Sequence, residues 1–156
     1  MNTLQFLLNL EKTTHNLSSQ NTISSNRMNS VGEALELHIK NIFAGYLENI
    51  NEDNLDYSDC FSYTGNKTNS PDLMLKNGDA IEIKKIEGIA TDLALNSSNL
   101  KDKLYASSSL ITDACRKSEN WTVKDMLYVI GSVKDKKLSK LWLVYGDCYC
   151  AETIHI

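Results

Sequence analysis

Apolar residues recur at Val31, Leu35, Ile39, Ile42, Phe43, Tyr46 and Ile50. Steps of three and four place them on one helical face, which predicts a helix over residues 31–50. Ser30, followed three residues later by Glu33, supplies a capping box for its start. A shorter amphipathic pattern predicts a helix over residues 3–12. Between the two, His15 to Ser30 is rich in Asn, Ser and Thr and has no period, so it reads as a loop or arm.

Past residue 50 the period shortens. Tyr57–Tyr63, Met126–Val133 and Leu141–Tyr145 are runs of strand length, and the last two flank a charged turn at Lys134–Lys140. The stretch "SPDLMLKNGDAIEIKKIEG", Ser70 to Gly88, reads as a hairpin with strands at Asp72–Leu75 and Asp79–Ile86. Thr91–Asn99 is polar and irregular. Leu104, Ser108, Ile111 and Cys115 share a helical face, which predicts a helix over residues 101–117. The order α, α, β, β, β, α, β, β implies an α+β or α/β fold, with helices flanking a central mixed sheet.

Composition narrows the class. The chain has 156 residues, 42% hydrophobic and 23% charged, enough for one domain with a core. No apolar run approaches the roughly 18 residues of a membrane span. The N-terminus lacks the basic region and cleavage site of a signal peptide. The expectation is therefore a cytoplasmic protein with no membrane contact. Cys60, Cys115, Cys148 and Cys150 show no disulfide-framework spacing and read as reduced thiols. Zinc on Cys148, Cys150 and His155 would lack a fourth ligand.

The net charge of −4 is unevenly spread. Residues 51–83 carry 2 basic and 7 acidic side chains, whereas residues 84–156 carry 11 and 9. Acid gathers at the hairpin and base follows it. A cation site beside an anion-binding surface gives this pattern, and so does an ordinary solvated face.

Within the hairpin, register decides whether Asp72, Glu82 and Lys84 can act together. A two-residue turn at Asn77-Gly78 pairs Lys76 with Asp79 and sends Asp72 and Glu82 to opposite faces. A three-residue loop, Lys76-Asn77-Gly78 with Gly78 left-handed, pairs Leu73 with Ile81 and sets Asp72 opposite Glu82, Cβ atoms about 5 Å apart. Local rules permit both, and Asn-Gly slightly favours the first. Facing acids repel unless a cation sits between them, and Mg²⁺ suits two hard carboxylates. Such a metal activates water and stabilises charge growing on a phosphorane. Lys84, about 3 Å from the attacking water, would orient or ionise it. Glu36, on the flank of the long helix, would hold a metal-bound water or a second metal; its plain alternative is an i,i+4 pair with Lys40. Pro71, the single proline, fixes φ where the chain reaches Asp72.

Pro71-Asp72 followed by Glu82-Ile83-Lys84, after a helix bearing Glu36, resembles the PD-(D/E)xK nuclease superfamily. The element order from residue 31 to residue 133 is similar to that superfamily's αβββαβ core. The blocks "NSVGEALELHIKNIF", "SPDLMLKNGDAIEIKKIEG", "LNSSNLKDKLYASSSLITDACR" and "LWLVYGDCYCA" resemble type II restriction endonucleases of the NgoPII type and span most of the chain from Asn29 onward. The superfamily motif is short and degenerate, while agreement over several longer blocks is more specific.

The resemblance implies a Mg²⁺-dependent homodimer that cuts both strands of double-stranded DNA at a short palindrome, GGCC in relatives of this type, and leaves 5′-phosphates. Asp72, Glu82 and the Ile83 carbonyl would be metal ligands, Lys84 the catalytic lysine and Glu36 the helix acid. A cognate DNA methyltransferase would belong to the same prokaryotic system. Endonucleases of this type are usually considerably longer. The expected organisation is thus an N-terminal helix and polar arm at residues 1–30, then a nuclease core at residues 31–156 truncated at its C-terminus.

DNA contacts are expected from Asn96, Ser97, Ser98, Lys101 and Lys103, amides and hydroxyls for base edges and lysines for phosphate. A polar loop capping the next helix is the plain alternative. Two functional alternatives stand beside restriction: a repair or junction nuclease on the same core, and a truncated core that binds DNA without cutting it.

Overall fold

The computed structural model describes residues 2–17, 27–47, 55–66, 69–86, 100–148 and 150. Two helices come first, α1 (Thr3–Lys12) and α2 (Arg27–Ala44). Asn2 caps α1 by accepting the Gln5 N–H at 2.9 Å. Helix α2 begins before the expected capping box, and Ser30 lies inside it. Arg27 and Met28 are good helix formers, so nothing stops the helix from starting there. It ends at Gly45, whose φ of 83° is the left-handed conformation that glycine adopts without steric cost.

Strands β1 (Phe61–Asn66), β2 (Asn69–Leu75), β3 (Ala80–Ile86), β4 (Lys103–Tyr105), β5 (Val123–Lys134) and β6 (Lys137–Tyr145) form one mixed sheet, with the short helix α3 (Asp113–Lys117) between β4 and β5. The order is β1-β2-β3-β5-β4, with β6 also on β5. The β3–β5 pair is parallel and the others antiparallel. The expected mixed sheet flanked by helices is what the chain forms.

Apolar alternation divides the core. Leu73, Leu75, Ile81, Ile83, Leu127 and Val129 pack with Phe6 of α1 and with Leu35, Ile39 and Phe43 of α2. Met74, Ala80, Met126 and Tyr128 face the other way, onto Leu104, Ile111 and Cys115.

Three local expectations fail. The helix expected over residues 101–117 is instead β4, a turn and α3. Leu104 pairs with Lys124 in the sheet, Ser108 Oγ accepts the Leu110 N–H at 3.2 Å, and Thr112 caps α3 through the Cys115 N–H. Serines and threonines that bond nearby backbone compete with helix formation. The first strand starts at Phe61 rather than Tyr57, because Asp56 accepts the Ser58 N–H at 2.8 Å and the Tyr57 carbonyl accepts from Cys60 and Phe61, closing a turn. The charged turn after β5 is tighter than expected. Asp135 and Lys136 both have positive φ, 50° and 59°, and β6 begins at Lys137.

Candidate active site

The hairpin joining β2 and β3 adopts the three-residue register: Leu73 faces Ile81 and Met74 faces Ala80. Continued by one residue, that register brings Asp72 to Glu82. The turn is closed by the Gly78 N–H to the Leu75 carbonyl at 3.1 Å and the Leu75 N–H to the Asp79 carbonyl at 3.0 Å. The left-handed residue is Asn77, at φ 53°, rather than the expected Gly78. Asparagine tolerates that conformation, so the loop needs no glycine there.

Strand β1 fixes the approach to Asp72. The β1–β2 register shifts between Thr64 and Asn66. At Gly65 a Cβ would lie 2.4 Å from the Pro71 carbonyl oxygen and 3.0 Å from that of Asp72. Glycine is therefore what lets the two backbones meet just where the carboxylate is carried. Pro71 is buried within β2, after a cis Ser70–Pro71 bond.

The side chains converge on the edge of β3. Asp72 Oδ2 accepts the Ile83 N–H at 2.6 Å. In a strand the N–H and C=O of one residue point the same way, so the Ile83 carbonyl faces that edge too. Glu82 is 5% exposed; its Oε2 accepts from Ser70 Oγ at 2.9 Å and its Oε1 meets Lys84 Nζ at 2.7 Å. Burial pushes the Asp72 carboxyl up to about 7, and Glu82 pushes the same way. The Ile83 N–H opposes that rise, Glu36 adds to it, and Lys84 opposes it.

Glu36 belongs to the same cleft. A hollow of about 200 Å³ is lined by Glu33, Glu36, Lys40, Thr64, Asp72 and Ile83, among others. Lys40 Nζ sits 3.9 Å from the centre of the Tyr57 ring. Among the described residues, no group of three or more His, Cys, Asp or Glu side chains could hold a metal. The donors gathered here are two carboxylates and a backbone carbonyl. That is a hard-oxygen set suited to a cation that retains water, such as Mg²⁺. The crowding of Asp72 against Glu82 is what such a cation relieves.

Other expected residues fall elsewhere. Asn96, Ser97 and Ser98 lie outside the described residues, as does His155. Lys101 lies just before β4, where its N–H donates to Tyr128 Oη at 2.8 Å and its carbonyl accepts from the same hydroxyl at 3.2 Å. Lys103 is held by Asp125 at 2.5 Å and Asp147 at 2.9 Å. Cys60, Cys115, Cys148 and Cys150 are free thiols. Ser70 and Thr64 also belong to the site, Ser70 through its bond to Glu82 and Thr64 as part of the cleft lining. Ser70 stands beside Pro71 and could have been suspected, but Thr64 reaches the cleft only through the β1–β2 pairing, which no local signal announces.

The NgoPII restriction endonuclease family model matches residues 1–155. The chain belongs to the NgoPII restriction endonuclease family. Over 155 residues, 97% of this chain, it is 44% identical to the type II restriction enzyme NgoPII of Neisseria gonorrhoeae. It spans 55% of that relative's length. No solved structure matches it. No helix among the described residues is long and apolar enough to cross a membrane.

Proposed function

We propose that this member of the family is a Mg²⁺-dependent, site-specific endonuclease that hydrolyses phosphodiesters in double-stranded DNA. The observation that carries the reading is Asp72, bonded to the Ile83 N–H at 2.6 Å, beside buried Glu82, with Lys84 Nζ 2.7 Å from Glu82. Asp72, Glu82 and the Ile83 carbonyl would hold the metal. Bound there, Mg²⁺ supplies Lewis acidity toward water and phosphate. Lys84, its ammonium held by Glu82, donates toward the attacking water and favours its ionised form. Glu36 reaches the cleft from α2 and orients water there.

Identity to the gonococcal enzyme supports the finer reading of a cytoplasmic homodimer acting on a palindrome such as GGCC and leaving 5′-phosphates, with a methyltransferase protecting host DNA. Two-fold protein symmetry matches a palindromic site. Lys101, Lys103, Asn96, Ser97 and Ser98 supply phosphate and base contacts in this reading, Lys103 by exchanging a carboxylate partner for phosphate.

Plasmid digestion with Mg²⁺, wild type against Asp72→Ala, tests it. Discrete fragments from the wild type and none from the variant are expected, and their ends give the recognition site. Equal cutting by both proteins would remove Asp72 from the chemistry. No cutting by either would leave a DNA-binding core.

A further inference from the structure

The Asp72–Glu82 arrangement depends on a turn that local sequence does not determine. A two-residue Asn77-Gly78 turn would be closed between Lys76 and Asp79 and would part the two carboxylates. The observed turn is closed instead through Leu75 and Gly78. Side chains from outside the hairpin hold it.

Lys124, near the start of β5, is buried. Its Nζ donates to the Gly78 carbonyl at 2.6 Å and to the Leu75 carbonyl at 3.1 Å. Glu119, in the segment before β5, pairs with the same ammonium, and its Oε2 accepts the Asn77 N–H at 3.1 Å. Two carbonyls of the turn thus meet a cation and one of its N–H groups meets an anion. An ammonium has three donors, and here each has an acceptor. Burial alone would raise the Glu119 carboxyl, but bonds from Lys124, the Asn77 N–H and Ser62 hold it below its usual range. The clamp matches one turn only: slipping to the two-residue form would move the carbonyls that Lys124 reaches.

We propose that Lys124, braced by Glu119, is a positioning residue that selects the three-residue turn and so keeps Asp72 opposite Glu82. Its consequence for metal binding rests on the endonuclease reading above. Lys124 touches neither metal nor DNA in this role; it acts through the hairpin.

The test uses the full chain, with Lys124→Met and Glu119→Gln, and two readouts other than cleavage. Amide exchange by NMR reports the Leu75 and Gly78 N–H groups in metal-free protein. Electron paramagnetic resonance titration reports Mn²⁺ affinity. In Lys124→Met the two turn amides lose protection while Leu127 and Val129 in β5 keep theirs, and Mn²⁺ affinity falls about tenfold or more. Glu119→Gln moves both in the same direction by less. If Lys124→Met does not fold, Glu119→Gln decides by the same criteria. Unchanged turn protection overturns the proposal, as does lost protection with unchanged Mn²⁺ affinity where the wild type binds Mn²⁺ through Asp72. Asp72→Ala separates the two readings. Wild type binding Mn²⁺ no better than Asp72→Ala defeats the metal site, while the Leu75 and Gly78 amides still decide whether Lys124 selects the turn.

Discussion

Two lysine–glutamate pairs sit at opposite ends of the β2–β3 hairpin, and they differ in what they leave over. At the turn, Lys124 meets one carboxylate and two carbonyls, and its donors are fully used. At the other end, Lys84 pairs with Glu82 while Asp72 crowds the same carboxylate and feels Glu36 as well. Burial and neighbouring acids together overcome what Lys84 and the Ile83 N–H do for Asp72, so its carboxyl is pushed up to about 7. A balanced buried pair holds a shape. A pair with a second carboxylate crowded against it beside a cleft suits the cation proposed above, and perturbed groups of that kind gather at functional sites.

Making the same substitution at both ends sharpens the contrast. Lys84→Met should lower cleavage about a thousandfold. Its melting temperature should fall less than that of Lys124→Met, because Ser70 still donates to Glu82 and a proton on Asp72 relieves part of the crowding. Lys124→Met should cost about 3 kcal/mol of stability, since it strips a buried ion pair of one partner and leaves two turn carbonyls unsatisfied. Thermal melts and plasmid cleavage of both variants check this. Equal destabilisation by the two would erase the distinction between a structural pair and a functional one.

Much of this contrast was out of reach of the sequence. The Asp72, Glu82, Lys84 triplet was legible because its members are twelve residues apart at most and strand alternation relates them. The turn that brings them together was not. Asn77-Gly78 is a local signal for one register, and the groups that select the other, Glu119 and Lys124, lie more than forty residues away. Helix α2 was readable from its period, and strands β5 and β6 from the length of their apolar runs, all three with different ends from those expected. The helix expected over residues 101–117 failed for an instructive reason. Leu104, Ile111 and Cys115 do share one apolar cluster, so their helical spacing reported a common destination and not a common helix. Ser108 and Thr112, with side chains bonded to nearby N–H groups, were the better guide to the backbone.

The smallest expected effect follows from Asp72 itself and is read in metal-free protein as a difference between two melting curves. Asp72 rises from 3.8 to about 7 on folding, so between those values the folded chain holds a proton that the unfolded chain has released. Its contribution is full at low pH and is lost as pH rises through about 7. His38 runs the other way. Burial, with His15 adding to it, lowers its imidazole from 6.5 to about 4, so the folded chain loses stability as pH falls through that window. The raw curve sums both slopes. Subtracting the curve of Asp72→Asn, which keeps His38, isolates the carboxylate. The variant should gain on the wild type as pH rises from about 4 to about 8, and Mg²⁺ should close that gap at the high end by giving the carboxylate a partner. Parallel curves with no response to Mg²⁺ would mean that Asp72 is not strained against Glu82, and the surplus of acid that sets this end of the hairpin apart from the Lys124 end would vanish.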